Sequence, residues 1–205
     1  MPMTPRARLA NDQGFTLVEF MIAALLMSFV LGGSVMLAMQ MQHTYSTQLD
    51  NAALEQEARY ALDWIARDLR SATSDGYYQL TDDTTLFIDP NGGGDPDDSI
   101  RVLADISPSD GLIENGEDIT IELDPATRTI TRYDAFADET EEMTDGIFTD
   151  LQFTFLDSTR TVTADWEDVS YVLVQVTAES RAWDNNLGER PRSTLSTEVR
   201  LRTRP

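Results

Sequence analysis

The chain has 205 residues, 41% hydrophobic content, no cysteine and 36 acidic against 15 basic side chains, for a formal net charge of -21. Without cysteine there is no disulfide, thiolate nucleophile or Cys-based metal site. So acidic a composition argues against direct binding of nucleic acid, whose phosphates are met by concentrated basic surface. Every basic side chain is Arg. The acidity reads as a solvated surface suited to a salty or calcium-rich exterior, with a specific cationic partner as the alternative.

Residues Met1–Gly14 are polar and carry Arg6 and Arg8; Phe15–Met41 are almost wholly apolar, interrupted by Glu19, small hydroxyl residues, Gly32-Gly33 and Gln40. As a helix this run is about 40 Å long, enough to cross a hydrocarbon core of about 30 Å with tilt. A secretory signal has an apolar region of only about 7–15 residues. Two Arg before the run and acidic residues after it orient the N-terminus to the cytoplasm. Glu19 is the anomaly, because a carboxylate in hydrocarbon costs at least about 2.5–3.5 kcal/mol.

Gly14-Phe15-Thr16-Leu17-Val18-Glu19 resembles the prepilin signature of type IV pilins and type II secretion pseudopilins. The resemblance implies cleavage between Gly14 and Phe15 by a membrane prepilin peptidase, N-methylation of Phe15, and a role for Glu19 in neutralising the terminal amine of a neighbouring subunit. Two charges that are each costly in lipid become tolerable as a pair, which rewards docking in one register. It also implies other pilins and an inner-membrane assembly platform as partners. The bacterial inner membrane, spanned once, would be the first location, and a surface pilus or periplasmic pseudopilus the second.

Gln48–Ala72 contains neither Gly nor Pro, and Leu54, Ala58, Ala61, Leu62, Ile65 and Leu69 form a stripe of period near 3.6. The helix therefore continues as an amphipathic segment over residues 42–74. Glu55–Ala72 is similar to a segment shared by PilW-type minor pilins and J-type pseudopilins. Beyond Gly76 short β-rich runs alternate with turn residues. Strands are expected at Thr85–Asp89, Ile100–Ala104, Asp118–Leu123, Arg128–Tyr133, Phe148–Leu156, Val169–Ala178 and Thr194–Arg202, with a hairpin turning at Asp124–Thr127. The expectation is an α+β fold: a 1–14 leader, a 15–41 transmembrane or filament-core helix, its 42–74 continuation, and a 75–205 head whose antiparallel sheet packs on the helical spine.

Asp89, Asn91, Asp95 and Asp97 alternate in a glycine-rich loop, in the manner of the first half of an EF-hand. The twelfth position is Ile100 instead of a bidentate Glu, and the flanks read as strands, so an ordinary turn competes with a calcium site. The acidic run Asp138–Asp145 reads as a solvated loop. Catalysis finds little support: there is one His, His43, placed as an interfacial polar residue, and neither Cys nor Lys. Trp64, Trp166 and Trp183 read as core or interface aromatics. The functional expectation is a non-enzymatic minor pilin of PilW type that initiates or caps a type IV pilus. The alternatives are a J-type pseudopilin at the tip of a type II secretion pseudopilus and an anchored calcium-dependent adhesion module.

Overall fold

A computed structural model describes residues 15–72, 86–88, 98–104, 112–164, 168–184 and 188–201. One helix, α1 (Leu17–Ser71), precedes eight strands: β1 (Leu86–Ile88), β2 (Ser99–Leu103), β3 (Asp118–Asp124), β4 (Thr129–Asp134), β5 (Glu139–Glu142), β6 (Phe148–Leu156), β7 (Tyr171–Glu179) and β8 (Arg192–Arg200). All strand pairs are antiparallel, so the expected α+β class holds. The strands form two meanders, a five-stranded sheet β1-β2-β3-β4-β5 and a three-stranded sheet β6-β7-β8. The chain divides into two compact units at Ser46/Thr47.

In the first unit every described residue, 15–46, is exposed. In the second, Leu54, Ala58, Ala61, Leu62, Trp64, Ile65, Ala66 and Leu69 are the buried residues of α1. They join a core with Ile100 and Val102 of β2, Ile119 and Ile121 of β3, Ile130 of β4, Phe148, Leu151, Phe153 and Phe155 of β6, and Val172, Val174 and Val176 of β7. The strand contributions alternate along each strand, as one-sided burial demands, except across the β-bulge between Phe148 and Asp150. Charge also fastens helix to sheet. Arg132 of β4 lies 3.5 Å from Asp68 of α1 and 4.0 Å from Glu141 of β5.

The hairpin falls one residue later than expected. Asp124 pairs with Thr129, leaving Pro125–Arg128 as the loop. The Asp124 carboxylate accepts from Ala126 N at 2.8 Å and Thr127 Oγ1 at 2.9 Å, an arrangement that favours tight turns. Arg128 has φ 61°, in the left-handed region. Its main chain and side chain offset that strain by docking on the next sheet. Arg128 O accepts from Phe148 N at 3.0 Å, and Arg128 Nη2 donates to Ile147 O at 3.1 Å. Beside it, a Cβ on Gly146 would stand 2.6 Å from Thr127 O, so only glycine lets the hairpin loop approach.

Glu179, at the end of β7, completes this junction. Its carboxylate is only 11% exposed and meets Arg192 at 2.7 Å, Arg128 at 3.5 Å and Arg190 at 3.6 Å. The hydrogen bond from Arg192 holds its pKa below the ordinary carboxylate range; burial opposes this, and the fields of Arg192, Arg128 and Arg190 reinforce it.

One expectation needs correction. The acidic run Asp138–Asp145 is not a loop throughout: Glu139–Glu142 is strand β5, paired to β4 with all four residues exposed. Charged residues suit a short edge strand because they discourage unwanted pairing, and this signal resembles a solvated loop in sequence. Trp183 is 59% exposed, whereas Trp64 is 7% exposed and belongs to the core; Trp166 lies outside the described residues.

Candidate functional site at the helix start

The helix begins at Leu17, three residues after Gly14. Phe20 N donates to Thr16 O at 3.2 Å, which makes Thr16 the N-cap. The cap is reciprocal. Glu19 N donates to Thr16 Oγ1 at 3.2 Å, while Glu19 Oε2 accepts from Thr16 N and Thr16 Oγ1, each at 2.9 Å. This is a capping box, which satisfies two backbone donors that a helix start leaves without intrahelical partners. Glu19 thus has a structural task inside its own chain. Its second oxygen, Oε1, makes no hydrogen bond among the described residues.

The site therefore gains a residue. Thr16-Leu17-Val18-Glu19 fits the [ST]-x-x-E signature of a capping box immediately before an apolar run, which is the signal that identifies Thr16. Phe15 is 88% exposed and stands just outside the first turn. Gly14 lies outside the described residues.

The following helix is suited to an apolar surrounding. α1 contains an 18-residue window of mean hydropathy 2.3, none of it buried within the chain. Its hydroxyls are tied to the helix backbone. Ser28 Oγ donates to Leu25 O at 2.7 Å, Ser34 Oγ to Val30 O at 2.8 Å and Thr44 Oγ1 to Gln40 O at 3.0 Å. Such bonds remove the penalty of an unpartnered hydroxyl in hydrocarbon. Gly32 and Gly33 have nothing of their own chain within 4 Å of a would-be Cβ. A continuous apolar surface of this extent calls for a partner, either lipid or other helices.

Residues 9–35 match the prokaryotic N-terminal methylation motif. The match brackets Gly14, Phe15, Thr16 and Glu19, and it supports a type IV pilin-like or pseudopilin protein. The methylation motif implies processing by a prepilin peptidase and assembly with other pilins, and the apolar helix fits a membrane-anchored pilin. No curated protein and no solved structure matches the chain at a significant level.

Asp89, Asn91, Asp95 and Asp97, the calcium candidates, lie outside the described residues. Among the described residues no three His, Asp or Glu side chains gather as a metal site. His43 lies on α1 and takes part in an interaction of its own.

Proposed function

We propose that the chain is a non-catalytic minor pilin of PilW type, incorporated into a type IV pilus after leader cleavage and N-methylation, where it helps to initiate or cap assembly. The observation that carries this reading is the division of Glu19 between two tasks. One oxygen closes the capping box with Thr16, and the other is open to a partner. Cleavage after Gly14 turns Phe15 N into a cationic amine but leaves both donors of the box untouched, since Thr16 N and Oγ1 lie beyond the cut bond. A neighbour's amine then approaches a carboxylate already fixed in place by its own helix. Pairing these charges away from water strengthens their attraction and rewards one docking register.

Mass spectrometry of the native protein tests the processing step. The expected chain begins at methyl-Phe15, and Gly14→Trp retains the leader. A native chain beginning at Met1 overturns the reading. Co-purification separates the two outputs: recovery with sheared surface pili supports the pilus subunit, and recovery with a secretion apparatus replaces it with the J-type pseudopilin.

A further inference from the structure

The two sheets have unlike free edges. β8 runs nine residues at the edge of the three-stranded sheet with no shift in its register against β7. Ser180 N donates to Pro191 O at 2.8 Å and Leu201 N to Ser170 O at 3.0 Å, which fixes the phase of the ladder. Ser193, Leu195, Thr197 and Val199 therefore turn their backbone groups toward β7, and Arg192, Thr194, Ser196, Glu198 and Arg200 turn theirs outward. All five outward residues are exposed, and their outward backbone groups meet no partner among the described residues. A long regular edge of this kind is a template for an added strand. The β5 edge is short and acidic. Met143 N donates to Ile130 O at 2.9 Å, so the same alternation turns Thr140 and Glu142 outward. Glu142 is exposed and has no ion pair among the described residues.

We propose that the β8 edge of one copy receives the β5 edge of a second copy, antiparallel, with Glu142 opposite Arg192 and Thr140 opposite Thr194. Charge favours this pairing. Arg192 bonds Glu179 through Nε yet its side chain is 68% exposed, so its remaining donors are open to a second carboxylate. Direction favours it too. Arg128 leads into β4, Phe148 begins β6, Glu179 ends β7 and Arg192 begins β8, all at the one junction. β4 and β8 run away from that junction, and β5, antiparallel to β4, runs toward it. Two heads in the same orientation thus present antiparallel edges to each other. That shared orientation rests on the pilin-like reading, in which all copies are anchored through the same N-terminal helix. The two patches differ, so the contact is heterologous and joins copies head to tail. Each copy carries -21 charges, but ionic screening beyond about 8 Å leaves the opposed pair at the edges as the dominant local interaction.

The cysteine-free chain gives a clean test. Two full-length tagged copies, one carrying Thr140→Cys and the other Thr194→Cys, are co-produced with prepilin peptidase in a bacterial inner membrane and oxidised with copper phenanthroline. Directly opposed residues stand about 5.5 Å apart, within disulfide reach, so a mixed-tag dimer is expected. Thr140→Cys paired with Thr177→Cys on the central strand β7 should give none, and Glu142→Arg in the first copy should lower the dimer several-fold. Processed, membrane-inserted copies that fail to cross-link, or that cross-link equally with Glu142→Arg, overturn the edge contact while leaving the pilin-like reading intact. Chains that remain unprocessed overturn that reading and the edge contact with it.

Discussion

The two parts of α1 share one backbone conformation and have opposite surroundings. Residues 15–46 expose every side chain, whereas from Leu54 onward a stripe of the same helix is buried, with Ala58, Ala61, Ile65 and Leu69 fully inaccessible. Regular helix is therefore not a sign of where stability comes from. In the second part it comes from packing on two sheets; in the first, lipid or neighbouring helices would supply it, because no described residue covers it. Apolar content alone does not separate the two. The spacing does: Leu54 to Leu69 keeps one face, and the earlier run is apolar all round.

The strongest test of this contrast is a matched pair of truncations in the full chain, followed by the fluorescence of buried Trp64 on heating. Ile65→Ala removes a fully buried side chain and should cost about 2–5 kcal/mol, lowering the melting temperature by roughly 5–15 °C. Leu31→Ala, on an exposed position, should leave that transition where it was. Equal effects would erase the distinction between the two parts.

A smaller effect probes the junction that holds the head together. Glu179→Gln leaves Arg128, Arg190 and Arg192 without their carboxylate and should destabilise the head by about 3 kcal/mol at neutral pH. Because folding lowers the pKa of Glu179, its contribution is present above the unfolded carboxylate pKa of about 4.3 and is lost as pH falls through the folded value. Denaturant titrations from about pH 6 downward should show a steeper loss in the wild type than in the variant. Parallel curves would remove Glu179 from the account of acid sensitivity.

Gly146→Ala should come next, at about 1–3 kcal/mol, since its Cβ meets a backbone oxygen that cannot yield without moving the hairpin. The smallest effect on the head belongs to the helix start. Glu19→Ala and Thr16→Ala should leave the melting of the head unchanged, while each removes part of an N-cap worth about 1 kcal/mol. In assembly the order reverses. Glu19→Ala loses both the box and the docking charge and should abolish incorporation into sheared filaments; Thr16→Ala keeps the charge but loosens its placement and should only reduce it. Equal incorporation by both variants would show that placement by Thr16 is irrelevant.

The sequence carried the helix, its amphipathic stripe and the positions of most strands, because each rests on local periodicity. The methylation motif is just as local, lying within residues 9–35. The capping box is equally local, with Thr16 and Glu19 three residues apart, but a carboxylate in an apolar run points first to a partner outside the chain. β5 was hidden for a different reason: Glu139–Glu142 has no apolar alternation, and only pairing to β4 makes it a strand. The split into two sheets, the left-handed Arg128 and the three arginines around Glu179 depend on contacts distant in sequence, which no window of residues contains.

The nearness of the cap to the cut has a geometric consequence. With the proposed cleavage after Gly14, only Phe15 would precede the N-cap Thr16, so the new amine would ride on a leash of one residue, with about 3.8 Å between the two Cα atoms. One helical turn is about 5.4 Å. A leash shorter than the pitch cannot reach across to the next turn of a neighbour, so a subunit displaced by one turn misses its carboxylate altogether. A terminus made by that cleavage would act as a vernier, converting a sliding contact between smooth apolar helices into a stepwise one.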